Sequence, residues 1–222
     1  MSWRETMEAI GPDDRLEIAK YQDFVDDQET FEAGGITKAV WDQLFPFLEQ
    51  QAWSMYQLFV LVNTLDGDTP SILEIGSGRG GSMIGMKLAK PGATFMTVDP
   101  FAPYDETSAH GTVKDYPGFK HAAFLENIKD FDINPEVVQL KSSDAFETLR
   151  DRSFDLIYID GNHSYDPAKL DMMDYQHLLK PDGVFCGHDY HPRFPGVIDA
   201  AKEVFGVDGF EVKENSSIWV KK

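Results

Sequence analysis

Two short polar turns in the second half of the chain hold the residues whose types could do chemistry. One turn contains Asp160 and His163, and the other contains His188, Asp189 and His191. These turns therefore hold three of the six histidines of the chain. Imidazole can take up a proton near neutral pH, and a carboxylate can accept a proton or bind a cation. Together the two turns predict a site for proton transfer or for metal binding.

Asp160, His188 and Asp189 are the residues that we expect to converge on one divalent ion. Such a mixed nitrogen and carboxylate set suits Mn²⁺, Fe²⁺ or Zn²⁺ better than Mg²⁺, which prefers oxygen ligands. His163 is then the candidate general base, and Asp160 is the second candidate catalytic residue. For each histidine taken alone, a hydrogen-bonded position at a strand end is the competing interpretation.

An α/β sheet must position these turns, because apolar runs and helical segments alternate from residue 71 onward. The predicted strands are 71–76, 94–99, 136–141, 154–160 and 183–187. Helices are predicted near 81–90, 118–131, 144–150, 167–180 and 195–205. Both polar turns then lie at the carboxyl ends of strands, where ligands bind in open α/β sheets.

The boundaries within this pattern also lead to predictions. For the helix after the fourth strand, Asp166 is the expected N-cap, and the terminator is the segment 180–183. Residues 210–213 and 217–221 form two strand-like runs that predict an antiparallel hairpin. The predicted fold is Rossmann-like α/β, with a seven-stranded, mostly parallel sheet, this hairpin and a helical N-terminal extension.

A glycine-rich turn follows the first predicted strand, in the stretch SILEIGSGRGG at 71–81. The pattern G-x-G-x-x-G starts at Gly76 and is typical of dinucleotide binding. The pattern E-x-G-x-G-x-G starts at Glu74 and is the S-adenosylmethionine signature of class I methyltransferases. An acid at Glu74 suits the cationic ammonium group of methionine and offers nothing to a pyrophosphate. The residues of this turn expected to bind the cofactor are Glu74, Gly76, Ser77, Gly78, Gly80 and Ser82.

Further cofactor contacts are expected at the ends of the following strands. Asp99 ends the second strand, where an acid can accept both ribose hydroxyls. Asp144 follows the third strand and is placed for the exocyclic amine of adenine, with a helix N-cap as the alternative. The strand-end residues expected to contact the cofactor are Asp99, Pro100, Ser143, Asp144, Asp160 and His163.

The chain resembles class I S-adenosylmethionine-dependent methyltransferases through five segments in this order: LEIGSGRGG, TVDPF, SSDAF, YIDGNHSYD and LLKPDGVFCGHDY. The closest likeness is to the small-molecule O-methyltransferases grouped with macrocin O-methyltransferase and the cephalosporin hydroxylase-like sugar methyltransferases. In metal-dependent members, acids or amides after the fourth and fifth strands hold magnesium. These positions fall here on Asp160, His188 and Asp189, and His188 departs from the usual acid.

The resemblance implies an enzyme that methylates a hydroxyl of a small molecule, with a sugar or glycosylated metabolite favoured. It covers about residues 70–222, the predicted methyltransferase domain, and leaves 1–69 as a helical N-terminal cap. One alternative is an NAD(P)-dependent oxidoreductase using the same glycine turn. Glu74, the terminal hairpin and the lack of a clear Tyr-x-x-x-Lys pair stand against it. Another alternative is a non-enzymatic ligand-binding protein.

Two segments outside these motifs could shape the substrate site. The first is the segment 37–65, which carries apolar residues at helical spacing and Pro46 as a start or a kink. We expect it to pack on the core, with a lid or a homo-oligomer surface as the alternatives. The second is the long segment 101–119, with Tyr104, His110 and Tyr116, which we expect to form a loop that closes on the substrate.

Composition limits the classes of partner. The formal net charge is −18, from 20 basic and 38 acidic residues, which disfavours nucleic acid and anionic membranes as partners. Cys186 is the only cysteine, so an intrachain disulfide is impossible and a reducing compartment is expected. Residues 1–20 lack the apolar core of a signal peptide. We therefore expect a cytoplasmic protein.

Overall fold

A computed structural model of the chain describes residues 23–48, 50–116 and 118–222. For residues 1–22, the predicted helical N-terminal cap therefore lies outside the described residues. The helices that frame the site are α1 (Gln28–Ala33), α2 (Lys38–Leu44), α3 (Ala52–Asn63), α4 (Gly81–Ala89), α5 (His121–Ile128), α6 (Ser142–Leu149), α7 (Tyr165–Tyr175) and α8 (Pro195–Phe205). The strands are β1 (Ser71–Ile75), β2 (Thr94–Val98), β3 (Tyr104–Ser108), β4 (Gly111–Tyr116), β5 (Glu136–Val138), β6 (Phe154–Ile159), β7 (Leu179–Gly187), β8 (Phe210–Val212) and β9 (Trp219–Lys221).

Seven of these strands form one sheet in the order β5-β2-β1-β6-β7-β9-β8. The pairs β1–β2, β1–β6, β2–β5 and β6–β7 are parallel, whereas β9 runs antiparallel to both β7 and β8. This arrangement confirms the predicted Rossmann-like sheet with an antiparallel C-terminal hairpin. The chain changes direction across the sheet between β1 and β6, which is where open α/β sheets bind ligands, at the carboxyl ends of their strands.

The two faces of the sheet are both covered, which explains why the central strands are apolar almost throughout. Ile72 and Tyr158 are fully buried on the face that packs against α2 and α3. Leu73 and Ile157 are fully buried on the opposite face, against α6, α7 and α8. Cys186 near the end of β7 is also fully buried on the first face, between its neighbours in β6 and β9.

The N-terminal segment splits into separate helices that pack on the sheet. Pro46 lies in a 3₁₀ turn, Phe45–Phe47, that divides α2 from α3. Met55 of α3 is fully buried and packs so tightly on α4 that a Cβ at Gly85 would lie 2.3 Å from its sulfur atom. The apolar residues of the segment 37–65 therefore pack within this chain, as expected for a helix packed on the core. Self-association through these helices and the domain boundary at residue 69 stay predictions.

Two predicted boundaries of α7 differ from the structure. Helix α7 begins at Tyr165 with Ser164 at the N-cap position, so the prediction of Asp166 as the N-cap is wrong. The segment 180–183 does not terminate this helix but lies within β7. The ammonium group of Lys180 lies 2.8 Å from Oδ2 of Asp155, and this ion pair connects the start of β7 to β6.

The segment 101–119 is mainly a hairpin rather than the predicted loop. Strands β3 and β4 pair antiparallel around a two-residue turn at 109–110. Thr107 and Thr112 are β-branched, face each other in this pair and are joined by a 3.0 Å hydroxyl contact. Gly111 follows the turn with a φ of 105°, which a glycine adopts without strain.

Helix length bears on the question of membrane insertion. The longest helix of the described part is α3, with 12 residues, whereas a bilayer-spanning helix needs about 20 apolar residues. None of the described helices combines the length and the apolar character that crossing a bilayer requires. The cytoplasmic location and the absence of membrane and nucleic-acid partners stay predictions.

Candidate active site

The glycine turn between β1 and α4 adopts a backbone that requires glycine. The φ angles of Gly76, Gly78 and Gly80 are 85°, 52° and 91°. A Cβ on Gly76 would lie 2.2 Å from the carbonyl oxygen of Asp160, which no side chain could tolerate. The turn therefore lies directly against the end of β6, where the polar cluster begins.

Glu74 lies beneath this turn and is fully buried. The hydroxyl groups of Ser77 and Ser82 donate hydrogen bonds to its two carboxylate oxygens. Burial raises the pKa of Glu74 to about 8, although these two hydrogen bonds act in the opposite direction. The carboxyl group therefore supports the turn from inside, and its contact with a methionine ammonium group stays a prediction.

Asp99 follows β2 and reaches the same turn, as its predicted role requires. Its Oδ2 accepts a hydrogen bond from the backbone N–H of Gly78 at 3.0 Å, and its Oδ1 accepts one from Phe101 at 2.7 Å. Burial raises the pKa of Asp99, and the backbone hydrogen bonds oppose that shift. Asp99 and the adjacent Pro100 thus border the glycine turn, and ribose binding by this aspartate stays a prediction.

Ser143 and Asp144 are exposed in the first turn of α6. The N-cap of this helix is Lys141, so Asp144 is not the N-cap that the competing interpretation required. Strand β5 ends at Val138, three residues before the predicted end at 141, and the helix starts correspondingly early. A contact between Asp144 and adenine stays a prediction.

Four ionisable side chains meet where β6 and β7 end. The strands pair Ile159 with Gly187, so the residues that follow each strand lie side by side. Oδ2 of Asp189 lies 2.7 Å from Nε2 of His163 and 3.2 Å from Nδ1 of His188. Oδ1 of Asp160 lies 3.5 Å from the same Nδ1 of His188 and 3.8 Å from Nε2 of His163.

The donor atoms of this cluster fit a divalent cation. One ligand atom from each of Asp160, His163 and Asp189 lies within 4.8 Å of the others. Nε2 of His163 is buried and forms no regular hydrogen bond, although a carboxylate oxygen is close. His188 lies against both carboxylates, but its Nε2 is already bonded to Ser217 Oγ at 2.9 Å. The set of Asp160, His163 and Asp189 thus differs from the predicted ligand set by having His163 in place of His188, and the role of His188 as a ligand stays a prediction.

The same carboxylates control the protonation of the two imidazoles. Burial acts to lower the pKa of His163, but the carboxylates of Asp160, Asp189 and Glu106 outweigh it and hold the pKa well above its ordinary value. Burial likewise opposes the shift at His188, where Asp160 and Asp189 raise the pKa to about 10. A protonated imidazole cannot accept a proton. The role of His163 as general base stays a prediction, and this pKa shift counts against it.

Two further residues of the site had no motif to reveal them. Glu106 of β3 accepts a hydrogen bond from the backbone N–H of His163 at 3.1 Å and lies 2.9 Å from its Nδ1. Gln50 accepts a 3.1 Å hydrogen bond from the hydroxyl of Tyr158. The same hydroxyl oxygen lies 3.5 Å from Oδ2 of Asp160. His110, by contrast, is exposed at the hairpin turn.

Comparison with known families identifies the segment that carries this site. Residues 73–190, more than half of the 222-residue chain, match a family described as a methyltransferase domain. The chain belongs to this methyltransferase family. The match confirms the resemblance to class I S-adenosylmethionine-dependent methyltransferases, because it includes the glycine turn, Asp99, the first polar turn and the residues His188 and Asp189 of the second.

Individual relatives of this methyltransferase are distant. An uncharacterized protein, R132 of Acanthamoeba polyphaga mimivirus, is 28% identical over 133 residues. That match covers 59% of this chain and 56% of the viral protein, so the chain spans only about half of this relative.

Solved structures show a similar fold. CalS11, a calicheamicin methyltransferase, matches with a TM-score of 0.61 at 13% identity, over 96% of this chain and 93% of that one. The O-methyltransferase NovP matches with a TM-score of 0.57 at 14% identity, over 78% and 80%. A putative caffeoyl-CoA O-methyltransferase from Staphylococcus aureus matches with a TM-score of 0.59 at 16% identity, over 91% and 99%. At these identities the similarity establishes the fold alone.

Proposed function

We propose that this methyltransferase transfers the methyl group of S-adenosylmethionine to a hydroxyl of a small molecule, with a sugar or glycosylated metabolite as the favoured acceptor. One observation carries the proposal. The glycine turn contacts the backbone of Asp160, so a cofactor over the turn lies beside the cluster of Asp160, His163 and Asp189. The cofactor half and the acceptor half of the site are thus adjacent.

The reaction needs little covalent help from the protein. The bond between the sulfonium sulfur and the methyl carbon breaks while the bond from the acceptor oxygen to that carbon forms, and the hydroxyl proton leaves. The protein mainly aligns the oxygen with the methyl group, since the sulfonium methyl is already activated. Asp160, on the cofactor side of the cluster, is the carboxylate proposed to accept the hydroxyl proton.

A divalent cation is the proposed partner of this carboxylate. Asp160, His163 and Asp189 would hold it, with His188 packed behind the two carboxylates. When bound, such a cation supplies Lewis acidity that lowers the pKa of an acceptor hydroxyl. The mixed donor set favours Mn²⁺, Fe²⁺ or Zn²⁺ over Mg²⁺.

The names of structural neighbours support the acceptor class. A second structure of CalS11 describes that protein as a TDP-rhamnose 3'-O-methyltransferase, and NovP is also described as an O-methyltransferase. Sugar hydroxyl methylation is therefore the favoured proposal for this chain. The NAD(P)-dependent alternative is set aside, because the methyltransferase match includes the glycine turn on which that alternative rested.

Calorimetry tests the cofactor part of the proposal. The protein is titrated with S-adenosylmethionine, with its demethylated product and with NAD(H). We expect both methionine nucleosides to bind and NAD(H) to give no heat of binding. Tight binding of NAD(H) without binding of either nucleoside would sink the proposal.

The acceptor half of the site is tested with Asp160→Asn. We expect methyl transfer to a panel of sugar and alcohol acceptors to fall by about 100-fold, the loss typical of a proton-transfer residue. Cofactor binding should weaken far less than methyl transfer falls. The matched control is Asp166→Asn, which removes the same charge from an exposed residue nearby.

In the wild type, excess chelator should stop transfer but not cofactor binding. Full turnover with chelator would exclude a role for the cation and leave Asp160 as the only proposed acceptor of the hydroxyl proton.

A further inference from the structure

The β3–β4 hairpin is attached to the candidate site by hydrogen bonds from its backbone. The side-chain amide of Asn162 donates to the carbonyl oxygen of Asp105 at 2.6 Å. The backbone N–H of Thr107 donates to the hydroxyl of Ser164 at 2.9 Å. Glu106 of the hairpin and His163 of the site therefore lie opposite each other, between these two hydrogen bonds.

That intervening residue, Glu106, is the buried acid of the hairpin. Its exposure is 8%, whereas Asp105 and Thr107 on either side are exposed. Burying a carboxylate is costly unless it is hydrogen-bonded, so its contacts must offset that cost. Both contacts made by Oε1 are with His163, one with the backbone N–H and one with the ring.

These contacts select which ring nitrogen of His163 faces the cluster. Oε1 of Glu106 lies 2.9 Å from Nδ1, which fixes Nδ1 as the nitrogen that donates its N–H. Nε2 then points to Asp189, where a cation would take the place of the proton that this nitrogen otherwise shares with the carboxylate. The ring of Phe194 packs on His163 at 4.3 Å between centroids and restricts its rotation.

We propose that Glu106 is a positioning residue that orients His163 towards a cation, so that hairpin docking and cation binding stabilise each other. The proposal rests on the function proposed above. Carboxylates that orient a metal-binding histidine typically change metal affinity by about 10–100-fold. Linkage makes the effect reciprocal, since a hairpin that favours the cation must be favoured by it to the same extent.

Cation affinity is measured by calorimetry with Mn²⁺ on the full chain. Glu106→Ala removes both acceptor contacts, and we expect Mn²⁺ binding to weaken by about tenfold or more. Glu106→Gln keeps an acceptor oxygen without the charge, so it should retain Mn²⁺ affinity to within about threefold if orientation is what matters. Asp105→Asn is the matched control, because it removes a charge from the adjacent, exposed residue and should leave Mn²⁺ binding unchanged.

Hydrogen exchange tests whether the cation in turn stabilises the docked β3–β4 hairpin. In the wild type, Mn²⁺ should slow amide exchange in residues 104–116. In Glu106→Ala this protection should be lost, while in Asp105→Asn it should persist. A folded Glu106→Ala protein that binds Mn²⁺ as the wild type does would overturn the proposal. So would a Glu106→Gln protein as impaired as Glu106→Ala, since charge alone would then explain the effect.

The same titrations separate this proposal from the proposed function. S-adenosylmethionine binding is measured on each variant and should stay within about twofold of the wild type, because Glu106 lies on the acceptor side of the site. A wild type that binds S-adenosylmethionine but no Mn²⁺ overturns the role of Glu106 and leaves methyl transfer standing. A wild type that binds no S-adenosylmethionine overturns the proposed function itself.

Discussion

Single residues of the site differ in how far the sequence could reveal them. Asp99, Asp160 and Asp189 were predictable, because an acid directly after a strand of a parallel sheet must lie at the ligand-binding edge. Glu106 was not predictable, because its burial depends on a contact with His163, 57 positions along the chain. No local pattern distinguishes such an acid from its exposed neighbours.

The buried carboxyl of Glu74 leads to a prediction about pH. Its pKa is about 8, so the ionised fraction grows about tenfold between pH 6 and pH 7. A cationic ammonium group of the cofactor binds better to the ionised form. We therefore expect affinity for S-adenosylmethionine to rise between pH 6 and pH 7.5, as measured by calorimetry.

Glu74→Gln and Glu74→Ala complete that experiment. The glutamine variant cannot ionise, so its affinity should be flat over the same pH range. The alanine variant also leaves the hydroxyls of Ser77 and Ser82 without their acceptor, and should bind at least tenfold more weakly, about 1.4 kcal/mol. An alanine variant with unchanged affinity would show that Glu74 does not contribute to cofactor binding.

At the scale of elements, strong patterns predicted the sheet strands and α4 to α8, while weaker ones failed. β3 and β4 were missed because their exposed, polar residues give no apolar alternation. The break between α2 and α3 was predictable from Pro46 as a kink. The start of β7 was missed because its Pro181 and Gly183 are typical of turns. In the structure, residues 180–183 lie in an irregularity of the strand between the pairs Phe154–Leu179 and Leu156–Val184.

The junction between the glycine turn and β6 yields a prediction at this scale. Gly76→Ala combines an unfavourable φ of 85° with a clash at 2.2 Å against the backbone of Asp160. Gly67→Ala has a similar φ of 73° but nothing within 4 Å of the added carbon. Gly67→Ala should cost about 1 kcal/mol of unfolding free energy for the backbone alone.

Urea unfolding distinguishes the two variants. Gly76→Ala should cost clearly more than Gly67→Ala, because turn and strand must also move apart, and it should bind S-adenosylmethionine poorly. Equal losses of stability would mean that the junction can relax without cost.

The whole molecule should lose stability as pH rises, because several buried groups keep protons that the unfolded chain would release. Burial raises the pKa of Glu74 to about 8 and that of Asp171 to about 7, so each binds more protons when folded and destabilises the fold as pH rises towards those values. For His188, whose pKa is about 10, the stabilisation is complete below its unfolded pKa and is lost as pH rises through 10.

In acidic solution, the stability of the fold changes with pH in the opposite direction. The pKa values of Asp160 and Asp189 are lowered, so their stabilisation is present above their unfolded values and is lost as the solution becomes more acidic. We expect the Tm, measured by scanning calorimetry at constant ionic strength, to peak near pH 5 and to fall steadily to pH 9. Glu74→Gln should make the fall between pH 5 and pH 8 shallower. A Tm that rises between pH 6 and pH 9 would contradict these shifts.

The position of Cys186 makes it a probe of how often the sheet opens around β7. This thiol is the only one in the chain, and it is fully buried where β7 pairs with β6 on one side and with β9 on the other. A thiol reagent can react only when the C-terminal strands or the covering helices separate from β7. When the reagent is concentrated enough to react at every opening, the labelling rate equals the rate of those separations. Slower labelling with S-adenosylmethionine or with Mn²⁺ would show which ligand stabilises this edge of the sheet.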